Sequence, residues 1–314
     1  MFEIIPYANE RKAEWNSFVA NSKNGTFLFF RDYMEYHSDR FQDNSLMCYK
    51  KGKLWALLPA NRQGEVLYSH QGLTYGGLIM GKKIVTTEVL ALFVSLCDYL
   101  STQQISYIIY KVIPHIYHRV PAEEDLYALF HGNKKVELFE RRVSSVLVAN
   151  NKISFSTLRR RKVAFARKTS LRLENDDMWD CFWPVLEHNL KERHSASPVH
   201  SLAEIKWLHH LFPNNIQLYR VTNGNDTVGG CVMYVTDGVA HVQYIASTEE
   251  GRRMGALDLL FDYLIHDRYG KMPYFDLGTS VENGGKYLNE GLIFQKEGFG
   301  GRAVVYDTYK INLK

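Results

Sequence analysis

The stretch from Val239 to Val305 limits what this chain can fold into more than any other. It reads as strand, Gly-containing turn, amphipathic helix, strand, polar loop, second helix and strand. A strand that feeds a turn and then a helix leaves free backbone N–H groups at the helix start, which suit a phosphate. The next strand ends in the polar run Asp276 to Asn283, where a reacting group can be presented. Elements in this order predict an α/β (α+β) architecture, with helices flanking a sheet.

Upstream, Ile216–Thr222, Thr227–Thr236 and Val239–Thr248 predict a strand meander, with hairpin turns at Asn223-Gly224 and Asp237-Gly238. Ser201 followed by Glu204 predicts a capping box that opens a helix to Phe212. Asp177 to Arg193 carries Trp179, Phe182, Trp183, Leu186 and Leu190 as an apolar stripe at helical spacing. Phe155 to Lys168 reads as a basic helix.

The first half repeats this order of elements without repeating residues. Phe2–Pro6 is a strand, Glu10–Ser22 a helix, and Thr26 caps a second helix through Tyr36. Ser45–Leu58 is a hairpin turning at Lys51-Gly52, Glu65–Tyr68 a strand, His70–Gly77 a Gly-rich loop and Thr86–Leu100 an amphipathic helix. Ile105–Val112 is a strand, Asp125–His131 a short helix and Arg142–Val148 a strand. A polar break near Ala149 to Ser156 divides the chain into domains 1–150 and 151–314. The length of 314 residues suits two domains. Without a long linker the halves should pack closely, and their interface is a natural place for a site.

A net charge of +4 is too small to argue for nucleic acid by itself. The four cysteines, Cys48, Cys97, Cys181 and Cys231, form no CxxC pair. Each sits in an apolar run and is expected as a buried free thiol. His188, His194, His200, His209 and His210 crowd one region without an HExxH pattern, so no metal site is expected. The N-terminus has no signal-peptide pattern, and no apolar run approaches the roughly 20 residues that span a bilayer. The expectation is a cytoplasmic protein with no integral membrane segment.

Three groups of residues can carry chemistry. In the turn Ser247 to Ala256, small residues and the pair Arg252 and Arg253 suit phosphate oxygens, while Glu249 and Glu250 oppose an anion unless they turn away. In the strand before it, alternation puts His241, Gln243 and Ile245 on one face and Val242, Tyr244 and Ala246 on the other. His241 carries an imidazole, which can remove a proton from an amine. Asp276 stands at a strand end, where substrates bind in α/β sheets. Ser280, Glu282 and Asn283 follow, with Glu282 a second candidate base or an anchor for an amine. Lys296 and Arg302 flank Gly298–Gly301 and can bind substrate phosphate. His70 and Tyr75, in the Gly-rich loop, can wall a substrate cleft. Between Lys152 and Arg172 stand eight basic residues and no acidic one. Such a helix can meet tRNA, a nucleotide-sugar phosphate or an anionic membrane surface, or can be an exposed linker helix.

Arg252-Arg253-Met254-Gly255-Ala256 resembles a degenerate form of the Arg/Gln-x-x-Gly-x-Gly/Ala pyrophosphate loop of the GCN5-related N-acetyltransferases (GNAT), with Leu257 where that pattern has Gly or Ala. Lys296-Glu297-Gly298-Phe299-Gly300 resembles the Lys-x-x-Phe/Trp-Gly ending of one branch of that superfamily. That branch holds the Fem-type peptidoglycan-bridge aminoacyltransferases and related acyltransferases of surface-polysaccharide clusters. The resemblance implies two tandem GNAT-like domains, each a mixed, mainly antiparallel twisted sheet flanked by helices. It implies acyl-CoA, acetyl-CoA first, as donor, held by Arg252, Arg253, Gly255 and Ala256 and by the central strand at Tyr244 and Ile245. It implies catalysis by His241, Glu282 or Asp276, and substrate contacts from Gln243, Ser280, Asn283, Lys296 and Arg302. In the branch, the matching Lys is linked to substrate or transition-state charge. The acceptor expected is the amine of an amino sugar or of a cell-surface glycan precursor. Two other readings stay open: a Fem-type aminoacyl-tRNA-dependent transferase, and a non-catalytic protein that kept the fold.

Overall fold

A computed structural model describes residues 1–132, 134–194 and 196–314, with residues 193 and 194 described by their backbone only. The chain divides into two compact units. The first is Met1–Val143 with Asn283–Tyr287 and Val305–Lys314, and the second is Ser144–Glu282 with Leu288–Val304. In chain order the elements are β1 (Glu3–Pro6), α1 (Lys12–Asn21), α2 (Arg31–Met34), β2 (Leu46–Lys50), β3 (Lys53–Leu58), β4 (Asn61–Gln63), β5 (Val66–Tyr68), β6 (Ile79–Met80), α3 (Thr86–Thr102), β7 (Tyr107–Lys111), α4 (Glu124–His131) and β8 (Val136–Val148). There follow α5 (Thr157–Ala166), β9 (Leu171–Asn175), α6 (Trp179–His194), α7 (Leu202–Leu211), β10 (Ile216–Asn223), β11 (Asp226–Val235), β12 (Val239–Ser247), α8 (Glu249–Met254), α9 (Ala256–Tyr263), β13 (Tyr274–Thr279), β14 (Val281–Glu282), β15 (Tyr287–Leu288), α10 (Glu290–Gly298) and β16 (Arg302–Asn312).

In the first unit one sheet has the order β1-β2-β3-β6, and a second run has the order β4-β5-β7-β16. The β2–β3 hairpin turns through Lys51 and Gly52, both at positive φ (51° and 72°). Two consecutive positive φ values are what a type I′ turn requires, and glycine adopts one at little cost. The core of this unit gathers Leu92, Leu96 and Leu100 of α3 with Leu67, Ile108 and Tyr110 of the strands beneath them.

The second unit is built on the sheet β8-β13-β12-β11-β10-β9. β9, β10, β11 and β12 pair antiparallel in turn, as do β13 and β8. β12 and β13 pair parallel. Its core packs Leu260, Phe261 and Leu264 against Val221, Cys231, Met233, Val242 and Phe275. Ser201 and Glu204 close the expected capping box at the start of α7.

The parallel junction recurs. In the first unit β4/β5 is antiparallel, β5/β7 parallel and β7/β16 antiparallel. In the second, β11/β12, β12/β13 and β13/β8 follow the same sequence of senses. The architecture is therefore mixed α/β, as the order of elements predicts, with mainly antiparallel strands, as the resemblance implies.

Several details differ from the sequence reading. Thr26–Tyr36 is two 3₁₀ turns around the four-residue α2 rather than one helix. β4, β6 and the first half of β8 are short or solvent-facing strands without clean alternation, and β9 is a five-residue strand that does alternate; the sequence reading misses all four. Cys48, Cys97 and Cys231 are buried, but Cys181 is exposed. It lies on α6 between the inward-facing Trp179 and Phe182, so it is carried to the outer face. The side chain of His194 lies outside the described residues. Among those described, no cluster of three or more metal-ligating side chains occurs, and no helix is long and apolar enough to cross a membrane.

Candidate active site

The register of β12 creates the site. Its parallel pairing with β13 covers only Val239↔Tyr274, Ala240↔Phe275 and His241↔Asp276. Past His241 the two strands part, while β12 stays paired to β11 as far as Ser247. The parting leaves one backbone edge of β12 without a strand partner, and buried backbone groups need one. A pseudo-strand ligand with amide groups would satisfy such an edge.

On the other side of β12, the register with β11 shifts between Val232 and Met233. Val242 faces Met233 and Tyr244 faces Val232, so Gln243 is bulged out of the pairing. The bulge resets the alternation of side chains. His241 and Tyr244 therefore share a face, opposite Tyr234 and Val232, and Val242 and Ile245 share the other, opposite Met233 and Cys231. The expectation that His241, Gln243 and Ile245 lie on one face fails for this reason.

At the point of parting, His241 Nδ1 lies 2.8 Å from Asp276 Oδ2. Asp276 is fully buried. Its Oδ1 accepts from the Ser144 hydroxyl at 2.5 Å and from the Gly278 amide at 2.9 Å. A buried carboxylate is tolerable only with such partners. Because a carboxylate only accepts, Nδ1 of His241 carries the proton and Nε2 holds the free lone pair. The His241 side chain is 12% exposed, enough for a reactant to reach it.

Lys296 joins this group from α10. Its Nζ donates to the carbonyls of Gly278 and Thr279 at 2.8 and 2.7 Å. Burial pulls its pKa down to about 8, against which the charge of Asp276 acts. Gly278 has φ 79°, and a Cβ there would stand 3.7 Å from His241 Cε1 and 3.9 Å from Lys296 Nζ. The imidazole and the ammonium thus converge on one glycine. A side chain at that position would enter the space between them.

Tyr244 points the other way from the core. Its hydroxyl lies 2.7 Å from His200 Nδ1, and Trp183 packs edge-on against its ring. Burial raises its pKa. Any part Tyr244 takes in holding a donor therefore falls to its backbone.

The turn after β12 is ordered as a helix start. Thr248 is the N-cap, its hydroxyl accepting from the Gly251 amide at 3.0 Å. Gly251 is required by packing, since a Cβ would lie 2.0 Å from the Val228 carbonyl oxygen. Gly255, at φ 76°, ends α8 and opens α9, so the turn expected at Ser247 to Ala256 contains a short helix of its own. The Glu250 carboxylate is held by Asn223 at 2.7 Å, and Glu249 lies 3.7 Å from Arg253, so both acids of the turn are engaged. Arg253 remains largely exposed. Arg252 donates to the Ser247 carbonyl at 2.8 Å. Beside this turn lies a cavity of about 640 Å³, lined by Pro184, Val185, His188 and Glu192 of α6 and by Ser247, Thr248, Glu249 and Arg252. The unpaired edge of β12, the Gly278 cradle and the capped turn with its two Arg residues fit an acyl thioester with an amide-bearing arm and a phosphate end.

The remaining candidates fall elsewhere. Glu282 is exposed and accepts from Asn289 Nδ2 at 3.2 Å. Ser280 is fully buried, and its hydroxyl has no partner among the described residues. Arg302 is exposed and donates to the Gly301 carbonyl. Asn283 belongs to the first unit, at φ 50°. So do His70 and Tyr75, both buried, Tyr75 donating to Thr26 at 3.0 Å. The structure thus joins His241, Asp276 and Lys296 and adds Ser144 and Gly278. Sequence reasoning misses Ser144, 132 residues before Asp276. Its only trace is the polar pair Ser144-Ser145 inside an apolar strand.

Residues 154–287 match the family model described as Acetyltransferase (GNAT) domain. No curated protein matches the chain. Among solved structures, the fold is similar to that of FemX, with a TM-score of 0.67 and 12% identity over 97% of this chain and 96% of that one. It is similar to L-PGS from Bacillus licheniformis, with a TM-score of 0.58 and 11% identity over 90% and 91%. A tandem GNAT protein from the clavulanic acid biosynthesis pathway matches with a TM-score of 0.54 and 10% identity over 100% and 99%. At these identities the likeness is one of fold, and that fold is the tandem GNAT arrangement. With an acetyltransferase domain matched over residues 154–287, the chain is an acyltransferase.

Proposed function

We propose that the second unit transfers an acyl group from acyl-CoA, acetyl-CoA first, to the amine of an amino sugar or of a cell-surface glycan precursor. The observation that carries this reading is the chain Ser144–Asp276–His241 standing where β12 and β13 part, with Lys296 beside it.

An acyl thioester supplies an activated carbonyl. The protein's part is to make the amine a nucleophile and to steady the charge that develops. His241 Nε2 takes the proton that the amine nitrogen loses as its bond to carbon forms, and returns it to the sulfur of the thiol released as the carbon–sulfur bond breaks. Asp276 stabilises the resulting imidazolium and keeps the ring oriented, and Ser144 and the Gly278 amide keep Asp276 in place. The Lys296 ammonium adds positive charge next to the reacting centre. The backbone of Tyr244 and Ile245 on the open edge of β12 would hold the donor's amide-bearing arm. Thr248, Arg252, Arg253 and Gly255 would receive its phosphates.

A second reading, an aminoacyl ester of tRNA as donor, is favoured by one observation. Lys296 of the Lys-x-x-Phe-Gly run lies beside the His241–Asp276 pair rather than at the surface. Titration of the pure protein with acetyl-CoA and with charged tRNA, by calorimetry or thermal shift, separates the two. Binding of neither, at millimolar coenzyme A, would sink both. If acetyl-CoA binds, Arg253→Ala should weaken that binding and leave the fold intact.

A further inference from the structure

α5 is fixed to the second unit by one face. Arg159 donates to Asp258 of α9 at 2.6 Å with both groups buried, and Val163 and Ala166 are buried beside it. The outer face is unusual. Leu158 is 46% exposed and Phe165 56% exposed. Seven residues apart, they lie within about 20° of each other around the helix and form one ridge. Arg161 borders Leu158 on one side by about 60°, and Lys162 on the other by about 40°.

The charge around the ridge is uncompensated. Of the eight basic residues from Lys152 to Arg172, Arg159 and Arg167 pair with Asp258 and Asp262, and Lys152 donates to the carbonyls of Ile265 and Gly270. Arg160, Arg161, Lys162, Lys168 and Arg172 are exposed and meet no carboxylate among the described residues. Ile153, just before the helix, is a further exposed apolar group at 45%.

We infer that this face of α5 docks on an anionic lipid surface. Cations alone would serve RNA as well, since phosphate contacts need only charge. The ridge decides between them. Only Phe165 offers a ring on which a base could stack, whereas an aliphatic and an aromatic side chain together between cations match a helix lying in a lipid interface. There the ridge enters the acyl boundary and the long cationic side chains reach the headgroups. This surface is distinct from the His241 site and does not depend on the donor proposed above.

The test is co-sedimentation of the full chain with vesicles of phosphatidylcholine alone and of equal parts phosphatidylcholine and phosphatidylglycerol. A parallel arm measures binding to uncharged tRNA at the same salt. The expected result is partition onto the phosphatidylglycerol vesicles and not the neutral ones. The double variant Leu158→Ser/Phe165→Ser should weaken partition by at least about tenfold. Arg161→Gln and Lys162→Gln should each weaken it roughly fivefold. All four positions are exposed, so circular dichroism should show unchanged folding. Three results would overturn the inference: no preference for anionic vesicles, vesicle binding that survives loss of the ridge, or tRNA binding that is tighter than vesicle binding and indifferent to the ridge.

Discussion

The two parallel junctions of the molecule hold the same ingredients and use them in opposite ways. In the first unit, β5 pairs with β7 over Val66↔Tyr107, Leu67↔Ile108 and Tyr68↔Ile109, and a histidine and a lysine follow. Lys111 is spent on the protein itself, its Nζ donating to the carbonyls of His70, Gln71 and Leu73 at 3.1, 3.3 and 2.6 Å. The Lys111 amide donates to Ser69 Oγ at 2.7 Å, so the loop after β5 closes the space past the junction. His70 is buried and stacked on His37 with ring centroids 5.0 Å apart, and its pKa falls to about 3, chiefly through burial and then through the charges of His37, Lys111 and Arg31. Burial thus favours the neutral form of that imidazole.

In the second unit the junction is followed by no such loop, and its histidine faces a carboxylate. His241 can accept a proton because Asp276 stabilises the product; His70, among cations, cannot. The comparison teaches that the strand pattern makes a notch, and that chemistry depends on whether the protein fills it. Both lysines are pulled to about 8 by burial, so a lowered lysine pKa does not distinguish the two junctions.

The largest expected effect tests this contrast directly. His241→Ala should lower turnover by about 10²–10⁴-fold with donor affinity little changed. His70→Ala should leave turnover intact and lower stability. Steady-state kinetics and urea unfolding on the two variants decide it, and equal turnover losses would erase the distinction between the junctions.

Next in size, Lys111→Met leaves three loop carbonyls without their donor and should cost about 2–3 kcal/mol in urea unfolding. Lys296→Met likewise leaves the Gly278 and Thr279 carbonyls without their donor, so it should cost about 1–2 kcal/mol in stability and, unlike Lys111→Met, lower turnover as well. If instead Lys111→Met lowered turnover at unchanged stability, the first junction would not be the self-filled one.

Ser144→Ala removes one hydrogen bond from Asp276. A loss of about 1 kcal/mol of support predicts a several-fold drop in turnover. A purely structural role would leave the pH profile of kcat/KM unmoved, whereas a positioning role shifts it, and Ser144→Thr should restore it.

The smallest effects concern pH. As pH rises through about 8, Lys296 loses its proton, so kcat/KM should fall across that range, and Lys296→Arg should carry the falling limb to higher pH. For stability the sign is opposite. The unfolded chain, with ordinary lysines near 10.5, binds more protons than the native chain between about 8 and 10.5, so Lys111 and Lys296 make stability rise with pH over that window. The stability slope should shrink in Lys111→Met. An unchanged slope would mean that this lysine titrates normally.

Much of the fold was legible because local rules were obeyed. Lys51, Gly52 and Gly224 mark hairpins through their positive φ, and Ser201 with Glu204 caps α7 by short-range hydrogen bonds. His241, Asp276 and Lys296 stood out as polar groups in or beside apolar runs, which must find partners. Alternation failed at Gln243, because a bulge is a property of two strands and only one is visible in a run of residues.

The sequence by itself determined a mixed α/β chain with a repeated order of elements, a strand–turn–helix, and a short set of polar residues in or beside apolar runs. Periodicity, turn chemistry and charge act over a few residues, and that range suffices for those statements. Only the tertiary structure decided that β12 and β13 part after His241, that Ser144 reaches Asp276 across 132 residues, and that Lys111 closes one notch while its counterpart stays open. Those are contacts between distant segments, set by strand register and burial, and no local pattern encodes them.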